Sequence, residues 1–315
     1  MKKLFMVIPL VILVCIIFGC KQEKKTVQGP MVDSAEDKAK PTITIDSAIS
    51  ADGISISYEV RGKGEPAIVF IHGWCCDRTY WEAQLPYFAQ KYKVLTIDLT
   101  GHGESGLDRK EWTMGAFGED VVAVVNKLNL DQVVLVGHSM GGPVILEAAR
   151  HMPKRVIGLV GVDTLQNFED KFTQEQIDDM FTPLRFNFAE ATRNFVHTMF
   201  TPNSDPALVE KIATDMSSAP QEVGIGALEG YVDFQNNEII RVLREVKAPI
   251  VCVNSDMDPT NVETNQRYAP SFQAEIMSGV GHFNMMEDPE TFNRLLEETV
   301  QEFVKMKRFP RSRIR

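Results

Sequence analysis

The sequence predicts an α/β fold: a mostly parallel sheet of about eight strands, helices on both faces, and one inserted helical segment. Three observations carry this. Short apolar runs recur, each followed by a stretch of helical length; most are continuously apolar rather than alternating; and the interval between Asp163 and Arg241 holds no convincing strand. Continuously apolar strands belong to parallel sheets, whose crossover helices cover both faces.

Order begins with "ITI" and "GISISYEV", which alternate and are joined through Asp52-Gly53. That dipeptide is a hairpin signal, so the first pair is antiparallel. The runs "AIVFI" (67–71), "KVLTI" (93–97), "VVLV" (133–136), "VIGLVGV" (156–162), "PIVCV" (249–253) and "QAEIM" (273–277) supply the remaining strands. In the strandless interval Phe168, Phe172, Phe181, Phe186, Phe188, Phe195 and Phe200 crowd the first half. A helical cap over the carboxyl edge of the sheet fits that length and composition. Most of its aromatics are expected to pack the cap's own core, and a minority to line an apolar pocket. The expected division is a core of residues 43–163 and 241–309 with a cap of residues 164–240.

Ahead of this lies "MKK", an apolar run from Leu4 to Phe18, and then "GCKQEKK". A basic start, a short apolar centre and a small residue before the cut describe a secretory signal over residues 1–19. The run is shorter than the ~20 residues of a comfortable membrane span, although an uncleaved anchor helix is the alternative. Ile17-Phe18-Gly19-Cys20 resembles the bacterial lipobox, which implies lipid on Cys20 and a membrane-anchored lipoprotein of the cell envelope. Residues 20–42 are rich in Lys, Glu, Asp and Pro with almost nothing to bury, and are expected to be a disordered tether.

The formal charge of −10 argues against nucleic acid as a partner, because a phosphate-binding surface needs excess Lys and Arg. The basic end "KMKRFPRSRIR" reads as a solvated tail. Cys75, Cys76 and Cys252 form no CxxC pairs, so they are expected to be buried thiols, with neither zinc nor a disulfide framework. Gly101, Gly103 and Gly106 make a G-x-G-x-x-G pattern after a strand, but the charged, loop-like "LDRKEWTM" follows where a nucleotide site needs a helix. No Walker sequence and no H-E-x-x-H occurs. No cofactor or metal is expected.

The chemistry centres on "VVLVGHSMGGPVI". A branched strand breaks into Gly137-His138-Ser139-Met140-Gly141, a G-x-S-x-G turn, and then runs into an Ala-rich helix that tolerates Pro143 in its first turn. Such a bend lifts the Ser139 hydroxyl clear of the sheet at a helix N-terminus. Serine needs a base to become nucleophilic, and in this architecture acid and histidine follow the serine in chain order. Beyond Ser139 stand His151, His197 and His282. His282, in the Gly-rich "SGVGHFNMMEDP" after the last strand, is the expected base. For the acid that orients it, the residues leave Asp163, Asp256 and Asp258 open. Asp258 precedes Pro259, which biases it toward extended backbone at the strand's exit. The backbone N–H groups of Met140 and Trp74 are the expected oxyanion donors.

Together "FIHGWCCD", "DLTGHGESG", "VGHSMGG" and "GVGHFNMMEDPETF" resemble the α/β-hydrolase superfamily over roughly residues 43–306. The resemblance implies an α/β-hydrolase sheet with Ser139 as nucleophile, His282 as base, and Trp74 and Met140 as oxyanion donors. Its strand-seven pattern points to Asp258 as the acid, although Ser255 stands where that pattern has glycine and keeps Asp256 as the alternative. Serine at the nucleophile position argues against the branches that use Asp there. The implied function is hydrolysis of a small-molecule carboxylic ester with a small or medium apolar acyl group. Lactone opening, perhydrolysis and C–C hydrolysis use nearly the same constellation, and a lipid-anchored ligand-binding protein is the reading from another class.

Overall fold

A computed structural model describes residues 43–309; the signal expected over residues 1–19, the lipidation expected at Cys20 and the tether expected over residues 20–42 lie outside the described residues. Eight strands form one sheet: β1 (Thr44–Ile49), β2 (Ser55–Arg61), β3 (Ala67–Ile71), β4 (Val94–Ile97), β5 (Val133–His138), β6 (Val156–Val162), β7 (Ile250–Ser255) and β8 (Gln273–Met277). Their order is β1-β2-β4-β3-β5-β6-β7-β8. Strand β2 pairs antiparallel with both β1 and β4, and every later pairing is parallel.

Every residue of β3, β4, β5, β6 and β7 is buried, the signature of a sheet covered on both faces. The helices Met114–Lys127 and Gly141–His151 pack against one another beside it. The C-terminal helix Pro289–Arg308 buries Phe292, Leu296, Val300 and Phe303 along one stripe. That i, i+4, i+8 spacing is the core-facing row of an amphipathic helix.

Between β6 and β7 the chain is helical: Gln174–Phe186, Phe188–Thr198, Pro206–Ser217 and Gln221–Asp233, then a π-turn at Phe234–Glu238 and the helix Ile239–Glu245. The starts are written in the sequence. Thr173 and Gln176 form a reciprocal capping box, while Asn187 and Asp205 each accept a first-turn N–H. The aromatics divide more finely than the sequence suggests. Phe181 and Phe188 are buried, Phe168 packs edge-on against Phe272 of the core, and Phe186 is 92% exposed.

Candidate active site

Strand β5 ends at His138, and the next residue turns with φ of 51°. A non-glycine residue in the left-handed region is strained, and such strain collects at functional sites. The bend at Ser139 is pinned from three sides: its N–H donates to Val162 O (3.0 Å), and its carbonyl accepts from Gly142 N (2.8 Å) and Thr164 Oγ1 (2.8 Å). Glycine is required on both flanks. A Cβ at Gly137 would run into the Gly141 carbonyl, and one at Gly141 would stand 2.8 Å from Ile71 O. The Ser139 side chain is left half-buried on the wall of a cavity of about 690 Å³.

His282 reaches the same cavity from the loop after β8. Its Nδ1 lies 2.6 Å from Asp163 Oδ2. Asp163 directly follows β6, whose Val162 is the register partner of His138, so Ser139 and Asp163 leave adjacent strand ends side by side. Asp163 also turns left-handed, with φ of 45°. Its second oxygen accepts the Ser255 N–H at 2.6 Å, and Asn254 grips the backbone of Thr164 through both amide atoms at 3.1 Å. Burial pushes the Asp163 carboxyl up, but the hydrogen bond and charge of His282 and the bonds from Ser255 outweigh it and hold the group below its ordinary range.

The carboxylate that meets His282 in the structure is Asp163 rather than the expected Asp258. Asp258 lies in the exposed loop three residues beyond the end of β7. It lines the cavity without a hydrogen bond to His282, whose Nδ1 is taken by Asp163. Asp256 caps a turn by accepting from Gly279 N at 3.1 Å. Ser255 anchors the Asp163 carboxylate through its backbone N–H, a contact that its residue type does not announce. Of the other histidines considered, His151 contacts Glu119 (3.1 Å) at the end of its helix and His197 is exposed.

Trp74 lies in the loop after β3, and its indole N–H donates to Gly224 O in the inserted segment at 2.7 Å. Among the described residues no acceptor takes the backbone N–H of Trp74 or of Met140. His72, which carried no assignment in the sequence, braces this loop: its Nε2 accepts from Leu99 N (3.0 Å) and its Nδ1 lies 2.8 Å from Gly73 O. Burial depresses the His72 pKa to about 4, so the ring stays neutral and bridges the two backbones. Cys75, Cys76 and Cys252 are free, buried thiols.

The remaining cavity wall is largely apolar, with Phe172, Met180, Phe195, Met199 and Leu228 from the insertion facing Ser139 and His282. Among the described residues that line it there is no Lys or Arg, while Asp179 and Asp258 join Asp163. Among the described residues no group of three or more His, Cys, Asp or Glu is placed to hold a metal ion. A hydroxyl at a strained bend, an imidazole and a buried carboxylate sharing one cavity make a site suited to nucleophilic attack assisted by proton transfer.

A family model described as alpha/beta hydrolase fold matches residues 66–289. The 3-oxoadipate enol-lactonase 2 of Acinetobacter baylyi is 24% identical over 280 residues, covering 84% of this chain and 99% of its own. Among solved structures, a thermophilic esterase from Thermogutta terrifontis superposes with a TM-score of 0.71 at 25% identity, over 82% of this chain and 99% of its own. An N-acyl homoserine lactone degrading enzyme gives a TM-score of 0.68 at 25% identity, over 80% and 99% respectively.

Proposed function

The chain belongs to the alpha/beta hydrolase fold family and is a hydrolase, and on that premise we propose that it cleaves carboxylic esters of small or medium apolar acyl groups through an acyl-enzyme on Ser139. The observation that carries this is the 2.6 Å contact of His282 Nδ1 with Asp163 in the cavity that Ser139 lines. A carboxylate only accepts, so Nδ1 carries the proton and Nε2 is left as the basic nitrogen. In the proposed cycle His282 takes the Ser139 proton as the hydroxyl oxygen attacks the ester carbonyl. The free N–H groups of Met140 and Trp74 receive the developing oxyanion. His282 then returns the proton to the departing alkoxide, and water repeats the sequence on the acyl-enzyme to release the acid. Asp163 orients the imidazole and stabilises its charged form.

The apolar wall and the lack of a lining cation favour an uncharged acyl group, since burying a carboxylate beside Asp179 and Asp258 adds repulsion to desolvation. The names of two of the compared proteins, an enol-lactonase and a homoserine-lactone degrading enzyme, favour lactone opening as a second reading. The test is turnover of p-nitrophenyl butyrate and γ-lactones by wild type and Ser139→Ala. Loss of turnover in the folded variant supports the reading, and undiminished turnover overturns it. We further propose that Cys20 carries lipid and anchors the enzyme to a membrane, as the Ile17-Phe18-Gly19-Cys20 sequence suggests.

A further inference from the structure

His138 ends β5 immediately before Ser139, and it is 1% exposed. Its Nε2 lies 2.9 Å from the backbone carbonyl of His282. A carbonyl oxygen only accepts, so Nε2 carries the proton and Nδ1 is a bare acceptor. That Nδ1 is buried without a hydrogen-bond partner, against the backbone of Gly73, where an added Cβ would come within 2.8 Å of it. The ring packs at 4.7 Å from the His282 ring and 5.0 Å from Phe283. Burial first, and the neighbouring His282 second, hold the His138 pKa near 3, so its single proton stays on the bond to the carbonyl.

The base is thereby fixed at three points. Its N–H donates to Met199 O of the inserted segment at 2.8 Å, its carbonyl accepts from His138, and its Nδ1–H donates to Asp163. Only Nε2 of the His282 ring has no such commitment. For packing alone histidine is the poorer choice at position 138, because a phenylalanine fills similar space without stranding a buried nitrogen. What histidine adds is the donated bond.

We propose that His138 is a positioning residue for the hydrolysis, its Nε2–H strapping the His282 backbone to the strand end that presents Ser139. One dipeptide then carries both the nucleophile and the tether of its base. The proposal rests on the hydrolase reading of Ser139 and His282. A reacting group displaced by about 1 Å loses on the order of 10²-fold in rate, so the strap acts on kcat rather than on substrate binding.

The experiment compares kcat and KM for p-nitrophenyl butyrate in wild type, His138→Leu, His138→Gln and His138→Asn, with melting temperatures alongside. The Gln amide reaches the place of Nε2, and the Asn amide is too short. The expected result is a fall in kcat of about 10- to 100-fold in the Leu variant at unchanged KM, with the Gln variant restored to within about fivefold and the Asn variant low. Should the Leu variant not fold, the Gln and Asn pair decides alone. Equal kcat in that pair, or losses that follow melting temperature rather than the reach of the amide, overturns the proposal. A wild type without turnover of any ester or lactone removes the hydrolase reading itself, whereas active wild type with an undiminished Leu or Asn variant removes only the role of His138.

Discussion

His282 meets the Asp163 carboxylate through Nδ1, which leaves Nε2 as the basic nitrogen of the ring, the one the proposed cycle uses on Ser139. Replacing the carboxylate by an amide leaves the packing intact but removes both the orientation and the charge. Asp163→Asn is therefore expected to lower kcat by about three to four orders of magnitude, while Asp258→Asn stays within about threefold, the expectation for an exposed residue outside the relay. Steady-state kinetics on both folded variants checks this, and a larger loss at Asp258 would restore it as the acid. The same carboxylate sets a pH dependence of stability. Its folded pKa is depressed below the ordinary value of 3.8, so its ionisation stabilises the fold at all pH values above the unfolded-state value. That contribution fades as the pH falls through the lower folded value. The gap in melting temperature between wild type and Asp163→Asn should narrow as the pH falls below about 4. A gap that widens in acid contradicts the sign.

At the scale of elements, the turn from β5 into the helix Gly141–His151 works only because backbones approach where side chains would be. Gly137→Ala drives a Cβ into the Gly141 carbonyl and should destabilise the protein by at least the ~1–3 kcal/mol typical of overpacking. A urea melt with an unchanged midpoint would refute this. The turn was legible because it is local: strand, G-x-S-x-G and helix lie within one continuous stretch. The buried strands were legible for a related reason, since burial on both faces leaves an unbroken apolar run. The acid was not. Asp163, Asp256 and Asp258 all follow strands, and which one meets His282 depends on the left-handed turn at Asp163 and on the Ser255 N–H, 92 positions away in the chain. The second antiparallel pairing of β2 was equally silent, because a strand's run of residues does not state its neighbour's direction. The contact of His138 leaves no trace in the sequence, because its partner is a backbone carbonyl, which has no residue identity to read.

For the whole molecule, the inserted helices complete the site rather than merely cover it. Met199 O receives the His282 N–H, Gly224 O receives the Trp74 indole, and Phe200 stacks on Phe283 at 5.4 Å. With Phe172 and Phe195 facing the cavity, kcat/KM over a panel of p-nitrophenyl esters should rise from acetate to butyrate or hexanoate and fall for a chain of the same length ending in carboxylate. Equal turnover of the charged and neutral esters would contradict the apolar reading of the cavity. The proposed lipid anchor also belongs to the full chain, and on that proposal radiolabelled palmitate should enter wild type but not Cys20→Ala. Label retained in the variant would refute lipidation at that cysteine. Whether Ser139 is the nucleophile and His282 its activator is decided by mapping the covalent adduct of a fluorophosphonate probe by mass spectrometry. One adduct is expected, on the peptide containing Ser139, absent in Ser139→Ala and formed far more slowly in His282→Ala; an adduct on another residue, or one forming at the wild-type rate without His282, overturns both roles.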